Sequence, residues 1–195
     1  MNVGIIGSGG REHAITFSLS KSKKIKKIFC IPGNAGTEDI AINIRVDIND
    51  FKKIKEEVNK NKIDLLIVGP EQPLVDGIVD FFQNTNIKVF GPNKAASQLE
   101  GSKIFTKKIC QKYKIPTAEF GIFENIKDSK NYLEKSNYPI VIKADGLASG
   151  KGVYISKNKD EAFKAIDEIF NGKFGEAKNV LIEEFINGEE MSFFI

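Results

Sequence analysis

The sequence predicts an α/β protein in which a parallel-sheet part is followed by an α+β part. Four short apolar segments alternate with helical patterns in the first half of the chain. These segments are residues 3–6, 28–31, 65–68 and 87–90. Strands that are apolar along their whole length are typical of parallel sheets covered by helices on both faces. In the second half, the strand patterns at residues 140–143 and 153–155 follow each other without a helix, which indicates antiparallel pairing.

Helical patterns lie between the expected strands of the first half. In these patterns apolar residues recur about once per helical turn, so that most of them lie on one face of a helix. They are Ala14, Phe17 and Leu19 in the first helix, Phe51, Ile54 and Val58 in the helix at residues 49–61, and Val75, Ile78, Val79 and Phe82 in the helix before the last strand. Turn residues end the strands, as at Pro32-Gly33-Asn34.

The second half begins with two helical stretches between residues 93 and 113, which are separated at Gly101-Ser102 and end before Pro116. The remaining pattern predicts five strands and two helices. The strands are expected at residues 119–123, 140–143, 153–155, 180–183 and 191–195, and the helices at 128–135 and 160–170. We therefore expect a first domain at residues 1–92, a helical linker at 93–117 and a second domain at 118–195.

The composition is typical of a soluble globular protein. Hydrophobic residues make up 41% and charged residues 28% of the 195 residues. The net charge is +3, and the lysines that supply it are scattered, which argues against a nucleic-acid partner. No apolar segment approaches the ~20 residues of a membrane span, and the first residues do not resemble a signal peptide. We therefore expect a cytoplasmic protein with no membrane partner.

The two cysteines, Cys30 and Cys110, are far apart in the sequence, and His13 is the only histidine. Neither a disulfide framework nor a zinc site is expected from this spacing.

Residues 140–153 join an apolar strand that ends in Lys143 to a glycine-rich turn. Gly146, Gly150 and Gly152 permit close approach of backbone amides to an anion, and Lys151 adds a second positive charge. The turn leads into another strand, whereas the turn of a common P-loop leads into a helix. This pattern predicts a flap over the phosphates of a nucleotide. The alternative is a hairpin with solvated lysines.

A second glycine-rich loop, Gly7-Ser8-Gly9-Gly10, follows the first strand and opens a helix, where an anion can bind at the helix N-terminus. A dinucleotide fingerprint would require a third glycine where Glu12 stands, so NAD is disfavoured. Arg11 offers a fork of donors for a phosphate, which favours a phosphorylated small molecule. The alternative is a tight strand-to-helix turn without a ligand.

Three further segments carry candidate binding residues. Glu71 follows Gly69-Pro70 at the carboxyl end of a strand, where α/β sheets bind ligands, although a solvated acid in a proline turn is an alternative. Lys103 begins a helix and can direct a charge at a phosphate. Residues 182–190 combine a strand edge that can bind adenine with carboxylates that can bind a ribose, or they form a charged hairpin.

Together these motifs resemble those of the phosphoribosylamine-glycine ligase family, also called glycinamide ribonucleotide synthetases, which are ATP-grasp enzymes of purine biosynthesis. The motifs occur along the whole chain in the order of the family. They are Gly7-Ser8-Gly9-Gly10-Arg11-Glu12-His13, Pro32-Gly33-Asn34-Ala35-Gly36-Thr37, Val68-Gly69-Pro70-Glu71, Gln98-Leu99-Glu100-Gly101-Ser102-Lys103, Ile115-Pro116-Thr117-Ala118, the loop at 143–152, and Ile182-Glu183-Glu184-Phe185 with Gly188-Glu189-Glu190.

The resemblance implies a parallel-sheet pre-ATP-grasp domain followed by the α+β small subdomain of an ATP-grasp domain. It also implies the ATP-dependent ligation of glycine to 5-phosphoribosylamine through a glycyl phosphate, which gives glycinamide ribonucleotide, ADP and phosphate. Catalysis of such a reaction rests mainly on positioning and charge neutralisation.

The resemblance further implies a role for individual residues. Lys103 and Lys143 would be catalytic, because they would hold the ATP phosphates. The other implied ATP-binding residues are Asp145, Gly146, Gly150, Lys151, Gly152, Glu183, Glu184, Phe185, Glu189 and Glu190. The residues implied to bind phosphoribosylamine are Gly9, Gly10, Arg11, Glu12, Gly69, Pro70 and Glu71.

Family members are expected to be longer than this chain, and their Mg²⁺ or Mn²⁺ ligands are expected beyond residue 195, with none before it. The sequence also stops within an apolar strand pattern. We therefore expect a monomeric piece of a longer protein that does not turn over alone.

Two alternatives stay open at this point. One is another ATP-grasp enzyme, biotin-carboxylase-like or a carboxyaminoimidazole ribonucleotide synthetase, which the loop Gly9-Gly10-Arg11-Glu12 disfavours. The other is a non-catalytic nucleotide-binding module.

Overall fold

A computed structural model of the chain describes residues 1–147, 152–175 and 179–193. It contains two compact units, Met1–Gly101 and Ser102–Ile195. The division between them falls within residues 93–117, and the assignment of that segment as a separate linker stays a prediction.

The first unit is built on a five-stranded sheet in the order β3-β2-β1-β4-β5, and every neighbouring pair is parallel. Its strands are β1 (Asn2–Gly7), β2 (Lys27–Pro32), β3 (Ile42–Asn43), β4 (Leu65–Val68) and β5 (Lys88–Phe90). Its helices are α1 (Gly10–Ser20), α2 (Ala35–Glu38), α3 (Phe51–Lys60), α4 (Glu71–Asp76), α5 (Ile78–Phe82) and α6 (Lys94–Gly101). The predicted parallel sheet is confirmed.

Both faces of this sheet are buried. Alternate residues of each strand point to opposite faces, and the residues of each face belong to a core cluster. Ile6 and Leu66 belong to a core cluster that also contains Ile54 and Val58 of α3. A second cluster contains Val3, Ile5, Ile28 and Cys30, with Ile15 and Leu19 of α1 packed against it. This two-sided burial accounts for the continuous apolar segments of the sequence.

Two details of the first unit differ from the prediction. Gly77 adopts the left-handed conformation, with φ +100°, and separates α4 from α5, where the sequence pattern predicts one helix. A short helix and a short strand, α2 and β3, occupy a region where the sequence predicts neither. Both elements are shorter than the window over which periodicity can be recognised.

The second unit is built on a four-stranded sheet in the order β6-β9-β7-β8, and every neighbouring pair is antiparallel. Its strands are β6 (Phe120–Phe123), β7 (Ile140–Ala144), β8 (Val153–Ser156) and β9 (Val180–Glu184). Its helices are α7 (Lys103–Tyr113), α8 (Ile126–Leu133) and α9 (Lys159–Phe170). The predicted change to an antiparallel α+β arrangement is confirmed.

The two faces of this second sheet have different surroundings. On one face Ile142 and Ile182 pack against Leu133 of α8 and Ile166 of α9 in the core of the unit. The other face carries the side chains of alternate residues. Val141 is paired with Glu183 and Lys143 with Leu181, so Lys143 and Glu183 share this second face.

Residues 191–193 do not form the predicted final strand, since the structure records no strand pairing for them, and residues 194 and 195 lie outside the described residues. An apolar sequence forms a strand only where a neighbouring backbone pairs with it. Among the described residues, no helix has both the length and the apolar character needed to cross a membrane.

Candidate functional site

The loop after β1 is organised by Glu12, which is buried. Its carboxylate accepts a hydrogen bond from the backbone N–H of Gly9 at 2.6 Å. A Cβ added at Gly69 would lie 2.1 Å from Oε1 of Glu12, so the turn after β4 approaches this carboxylate closely. Gly7 has φ +124°, a conformation that favours glycine. Glu12 therefore binds the β1–α1 loop and packs closely against the β4–α4 turn.

Arg11 joins the same two loops from the exposed side. Its guanidinium donates hydrogen bonds to the carbonyl oxygen of Gly69 at 2.9 Å and to Oε1 of Glu71 at 3.0 and 3.1 Å. The pKa of Glu71 is lowered, first by a hydrogen bond from its own backbone N–H and then by Arg11. Gly10 begins α1 and Pro70 precedes α4 as its N-cap. The seven predicted substrate residues thus lie together at the carboxyl edge of two neighbouring parallel strands.

Asn34 also lies at this edge, within the family motif at residues 32–37, and its role as an N-cap was not predicted from the sequence. Its side-chain amide donates to the carbonyl oxygen of Ser8 at 2.9 Å, and its Oδ1 accepts from the backbone N–H of Thr37 at 3.0 Å. The position of an asparagine directly after a strand and three residues before a threonine is the signal that could have identified this N-cap. The N-cap fastens the β2–α2 loop to the glycine-rich loop after β1.

In the second unit, Glu183 lies between two lysines. Its Oε1 is 2.9 Å from Nζ of Lys143, and its Oε2 is 3.1 Å from Nζ of Lys107 on α7. The side chains of Glu183 and Lys107 are 6% and 10% exposed, whereas that of Lys143 is 27% exposed. The sequence analysis missed Lys107. The signal available was a lysine one turn after Ile104 on the buried side of α7.

Lys103 and Asp145 connect the start of α7 to the loop after β7. Nζ of Lys103 donates to the carbonyl oxygens of Ala144 at 3.0 Å and Gly146 at 2.7 Å. The carboxylate of Asp145 accepts from the Ser102 hydroxyl at 3.0 Å and from the Ile104 backbone N–H at 3.2 Å. Ser102 is the N-cap of α7, since its Oγ accepts from the backbone N–H of Phe105, and Asp145 adds to this cap because it satisfies a further N–H group of the first turn.

The glycine-rich loop itself is described only at its two ends. Gly146 has φ +97°, and the carbonyl oxygen of Gly152 accepts from the backbone N–H of Ala144 at 2.9 Å. Gly150 and Lys151, which the sequence predicts to contact ATP, lie outside the described residues.

The predicted adenine residues, 183–185, lie at the end of β9 and directly after it, and the predicted ribose residues follow. The side chain of Glu184 accepts from the backbone N–H of Glu119 at 2.9 Å. Phe185 and Glu184 line an open cavity of about 550 Å³ together with Tyr138. Glu189 and Glu190 are exposed and lie outside regular secondary structure. Among residues 1–147, 152–175 and 179–193, no group of three or more acidic, histidine or cysteine side chains is placed to hold a metal ion.

Two family models match the chain. Residues 1–100 match the phosphoribosylglycinamide synthetase N domain, and residues 101–195 match the phosphoribosylglycinamide synthetase ATP-grasp (A) domain. The chain belongs to the phosphoribosylglycinamide synthetase family. This membership confirms the resemblance that the motifs indicated.

Similar proteins agree with this membership. The phosphoribosylamine–glycine ligase of Mesorhizobium japonicum is 49% identical over 195 residues, which are 100% of this chain and 46% of that protein. The crystal structure of the phosphoribosylamine–glycine ligase from Thermotoga maritima has a TM-score of 0.77 and 33% identity, and the match covers 97% of this chain and 45% of that chain. The chain thus spans less than half the length of these family members.

A more distant structure shares the fold. The biotin carboxylase domain of 2-oxoglutarate carboxylase from Hydrogenobacter thermophilus, solved with MgADP, ADP and bicarbonate, has a TM-score of 0.76 at 19% identity. That match covers 95% of this chain and 44% of that chain. At this identity the likeness concerns the fold alone. Membership in the phosphoribosylglycinamide synthetase family rests on the two family models.

Proposed function

We propose that this chain supplies the phosphoribosylamine-binding unit and the nucleotide-phosphate-binding part of an ATP-dependent phosphoribosylamine–glycine ligase. In the proposed reaction ATP converts the glycine carboxylate into an acyl phosphate. This first step releases ADP. The 1-amino group of 5-phosphoribosylamine then attacks the acyl carbon and phosphate leaves, which yields glycinamide ribonucleotide. The observation that carries the proposal is the placement of the partly exposed Lys143 at the end of β7, next to the glycine turn at Gly146.

In the second unit, two lysines would face the nucleotide phosphates. Lys143 projects from a strand, so its ammonium is held near one place, and Lys103 donates hydrogen bonds to the carbonyl oxygens of Ala144 and Gly146 beside it. Fixed positive charges stabilise the charge that develops during phosphoryl transfer. The strand end at Glu184 and Phe185 offers backbone groups and a ring for the adenine.

In the first unit, Arg11 would direct its guanidinium at the phosphate or ribose of phosphoribosylamine. Two nitrogens of Arg11 already donate to one oxygen of Glu71, Oε1, and a phosphate oxygen can take the place of that carboxylate oxygen. The backbone N–H of Gly10 lies at the start of helix α1, where anions are favoured, whereas the N–H of Gly9 donates to Glu12. Glu12 would act by holding this loop in shape.

Mg²⁺ or Mn²⁺, which the proposed chemistry also requires, would neutralise charge on the ATP phosphates when bound. The described residues offer no cluster of carboxylates for such an ion, so we assign no residue of this chain to hold it.

Calorimetric titration of the 195-residue chain tests the proposal without requiring turnover. We expect ADP to bind more tightly than adenosine, because only ADP presents phosphates to Lys143 and Lys103. We expect glycinamide ribonucleotide to bind independently of ADP. The proposal of a phosphoribosylamine site is wrong if glycinamide ribonucleotide produces no heat while the chain is folded and binds ADP.

A further inference from the structure

Lys107 is a buried cation to which the proposed function assigns no role. Its Nζ lies 3.1 Å from Oε2 of Glu183 and donates to Thr117 Oγ1 at 2.7 Å and to the carbonyl oxygen of Ala118 at 3.3 Å. With its side chain 10% exposed, Lys107 is not an ordinary solvated lysine of a helix surface. Burial of an ammonium is unfavourable unless the ammonium is paired, and Glu183 supplies the opposite charge.

The carboxylate of Glu183 is shared by Lys107 and Lys143. It therefore balances only one of the two positive charges, and the cluster of three side chains carries one net positive charge. Lys143 is the more exposed of the two lysines, with 27% of its side chain accessible against 10% for Lys107. The surplus charge is therefore presented to solvent by Lys143.

Lys143 and Lys107 also differ in the hydrogen bonds that hold their ammonium groups. Although Nζ of Lys143 is 2.9 Å from Oε1, this oxygen has no hydrogen bond of acceptable geometry among the described residues. Lys107, by contrast, is held by two further oxygen acceptors. Lys143 can consequently turn toward an anion without losing an aligned hydrogen bond, while Lys107 continues to neutralise Glu183.

We propose that Lys107 is a positioning residue that balances the charge of Glu183 and thereby keeps the charge of Lys143 available for the nucleotide phosphates. Without Lys107, the buried carboxylate would have Lys143 as its single cationic partner, and the neutral pair would hold the ammonium inward. This inference deepens the proposed function, since it rests on Lys143 as the phosphate ligand.

Four variants separate this role from simple packing. Lys107→Met removes the charge and keeps most of the side-chain volume, and Lys107→Arg keeps the charge. Lys107→Met combined with Glu183→Gln removes both charges and leaves Lys143 as a lone cation. Lys108→Met is the matched control, because Lys108 is the exposed neighbour on the same helix.

Affinity for ADP and for adenosine is measured for each variant by calorimetry. We expect Lys107→Met to weaken ADP binding by about tenfold or more, as for loss of one charge-assisted contact, with adenosine unaffected. Lys107→Arg and Lys108→Met should bind ADP like the parent chain. The double variant should recover most of the affinity that Lys107→Met loses. A purely structural role predicts the opposite, since the double variant would then bind ADP no better than Lys107→Met.

A second readout does not depend on nucleotide binding. Pyridoxal 5′-phosphate forms imines with lysine amines, and borohydride reduction followed by peptide mapping gives the extent of labelling at Lys143 relative to the exposed Lys127. We expect labelling of Lys143 to fall in Lys107→Met and to recover in the double variant. Unchanged labelling across the variants overturns the inference about Lys107. If the parent chain does not bind ADP but Lys143 labelling still falls in Lys107→Met and recovers in the double variant, the proposed function is wrong and the inference about Lys107 stands.

Discussion

Arg11 and Glu71 lie 60 residues apart in the sequence, and their side chains meet at 3.0 Å across the carboxyl edge of the first sheet. The contact connects the loop after β1 to the turn after β4, and these are neighbouring strands of a parallel sheet. Open α/β sheets bind ligands at this edge. The pair is therefore placed where the proposed phosphoribosylamine would contact the first unit.

We predict that Arg11→Ala weakens binding of glycinamide ribonucleotide by about tenfold or more, because a charged donor fork to the phosphate is lost. ADP binding should not change, since Arg11 belongs to the other unit. Arg45→Ala is the matched control, because Arg45 is an exposed arginine of the same unit that pairs with Glu38. Calorimetry with both ligands measures the effect. A loss of ADP affinity with normal ribonucleotide binding would mean that the two ligands are assigned to the wrong units.

The ionised carboxylate of Glu71, which is stabilised first by its own backbone N–H and then by Arg11, should also make a pH-dependent contribution to stability. The pKa of Glu71 is lowered in the folded chain, so the ionised form is favoured by folding. The contribution is present above the unfolded-state pKa of glutamate, about 4.3, and is lost as the pH falls through the lower folded-state value. We predict that Glu71→Gln lowers the melting temperature at pH 7 and that the difference from the parent chain disappears near pH 3. A difference that persists undiminished in acid would exclude this carboxylate as its source.

Lys143→Met should weaken binding of ADP by about tenfold or more and leave adenosine binding unchanged, because the substitution removes charge and keeps the aliphatic stem. Lys127→Met, at an exposed position of α8, is the control for general loss of positive charge. Calorimetry at two salt concentrations measures both affinities. If Lys143→Met and Lys127→Met reduce ADP binding equally, Lys143 has no special place in the phosphate site.

Asp145 is predicted from the family resemblance to contact ATP, whereas its geometry is that of a helix cap. We expect Asp145→Ala to lower the free energy of unfolding by about 1–2 kcal/mol, since it leaves an N–H group of α7 and the Ser102 hydroxyl without this acceptor. Ser102→Thr, which keeps the hydroxyl, should be close to neutral. Urea unfolding measures both changes. A stability equal to that of the parent chain for Asp145→Ala, accompanied by lost ADP affinity, would favour a direct role in binding.

Two glycines of the first unit should respond differently to alanine. Gly69→Ala places a Cβ 2.1 Å from the buried Glu12 carboxylate, so we expect a loss of about 1–3 kcal/mol in the free energy of unfolding, as for overpacking. Gly10→Ala meets nothing within 4 Å in the first turn of α1, so it should be neutral or stabilising by up to about 1 kcal/mol. Thermal and urea unfolding compare the two variants. Equal effects would show that Glu12 does not constrain the turn at Gly69.

The order of strands and helices could be predicted because the strands are apolar segments of the sequence. Strands of the parallel sheet are buried on both faces, and strand β7 of the antiparallel sheet buries alternate residues. The break at Gly77 could not, since the helical spacing continues on both sides of it and only the left-handed backbone angle interrupts the helix. The short element α2 is held by the side chain of Asn34, whose amide group donates a hydrogen bond to Ser8 in a loop that is distant in sequence. Such a contact leaves no periodic pattern in the sequence.

The residues of the candidate site also differ in whether the sequence alone could suggest them. The glycines and the charged residues beside them could be proposed from the sequence because their residue types are chemically distinctive and adjacent in sequence, and the ligands they bind stay a prediction. Lys107 was missed because its importance comes from Glu183, a residue of a strand far along the chain. Asp145 shows the reverse, since a charged residue within a binding motif is used to cap a helix. Such contacts between distant segments are visible only in the folded chain.

The central claim is that the nucleotide phosphates bind at Lys143 and the turn beside it. Backbone amide NMR spectra of the ¹⁵N-labelled chain, recorded with increasing ADP, test this claim residue by residue. We predict the largest shift changes at Lys143, Gly146, Gly152 and Phe185, with adenosine moving Phe185 but not Gly146. Changes confined to the loop at Gly9 and Gly10, or none at Lys143 and Gly146 when ADP saturates the chain, would contradict the account.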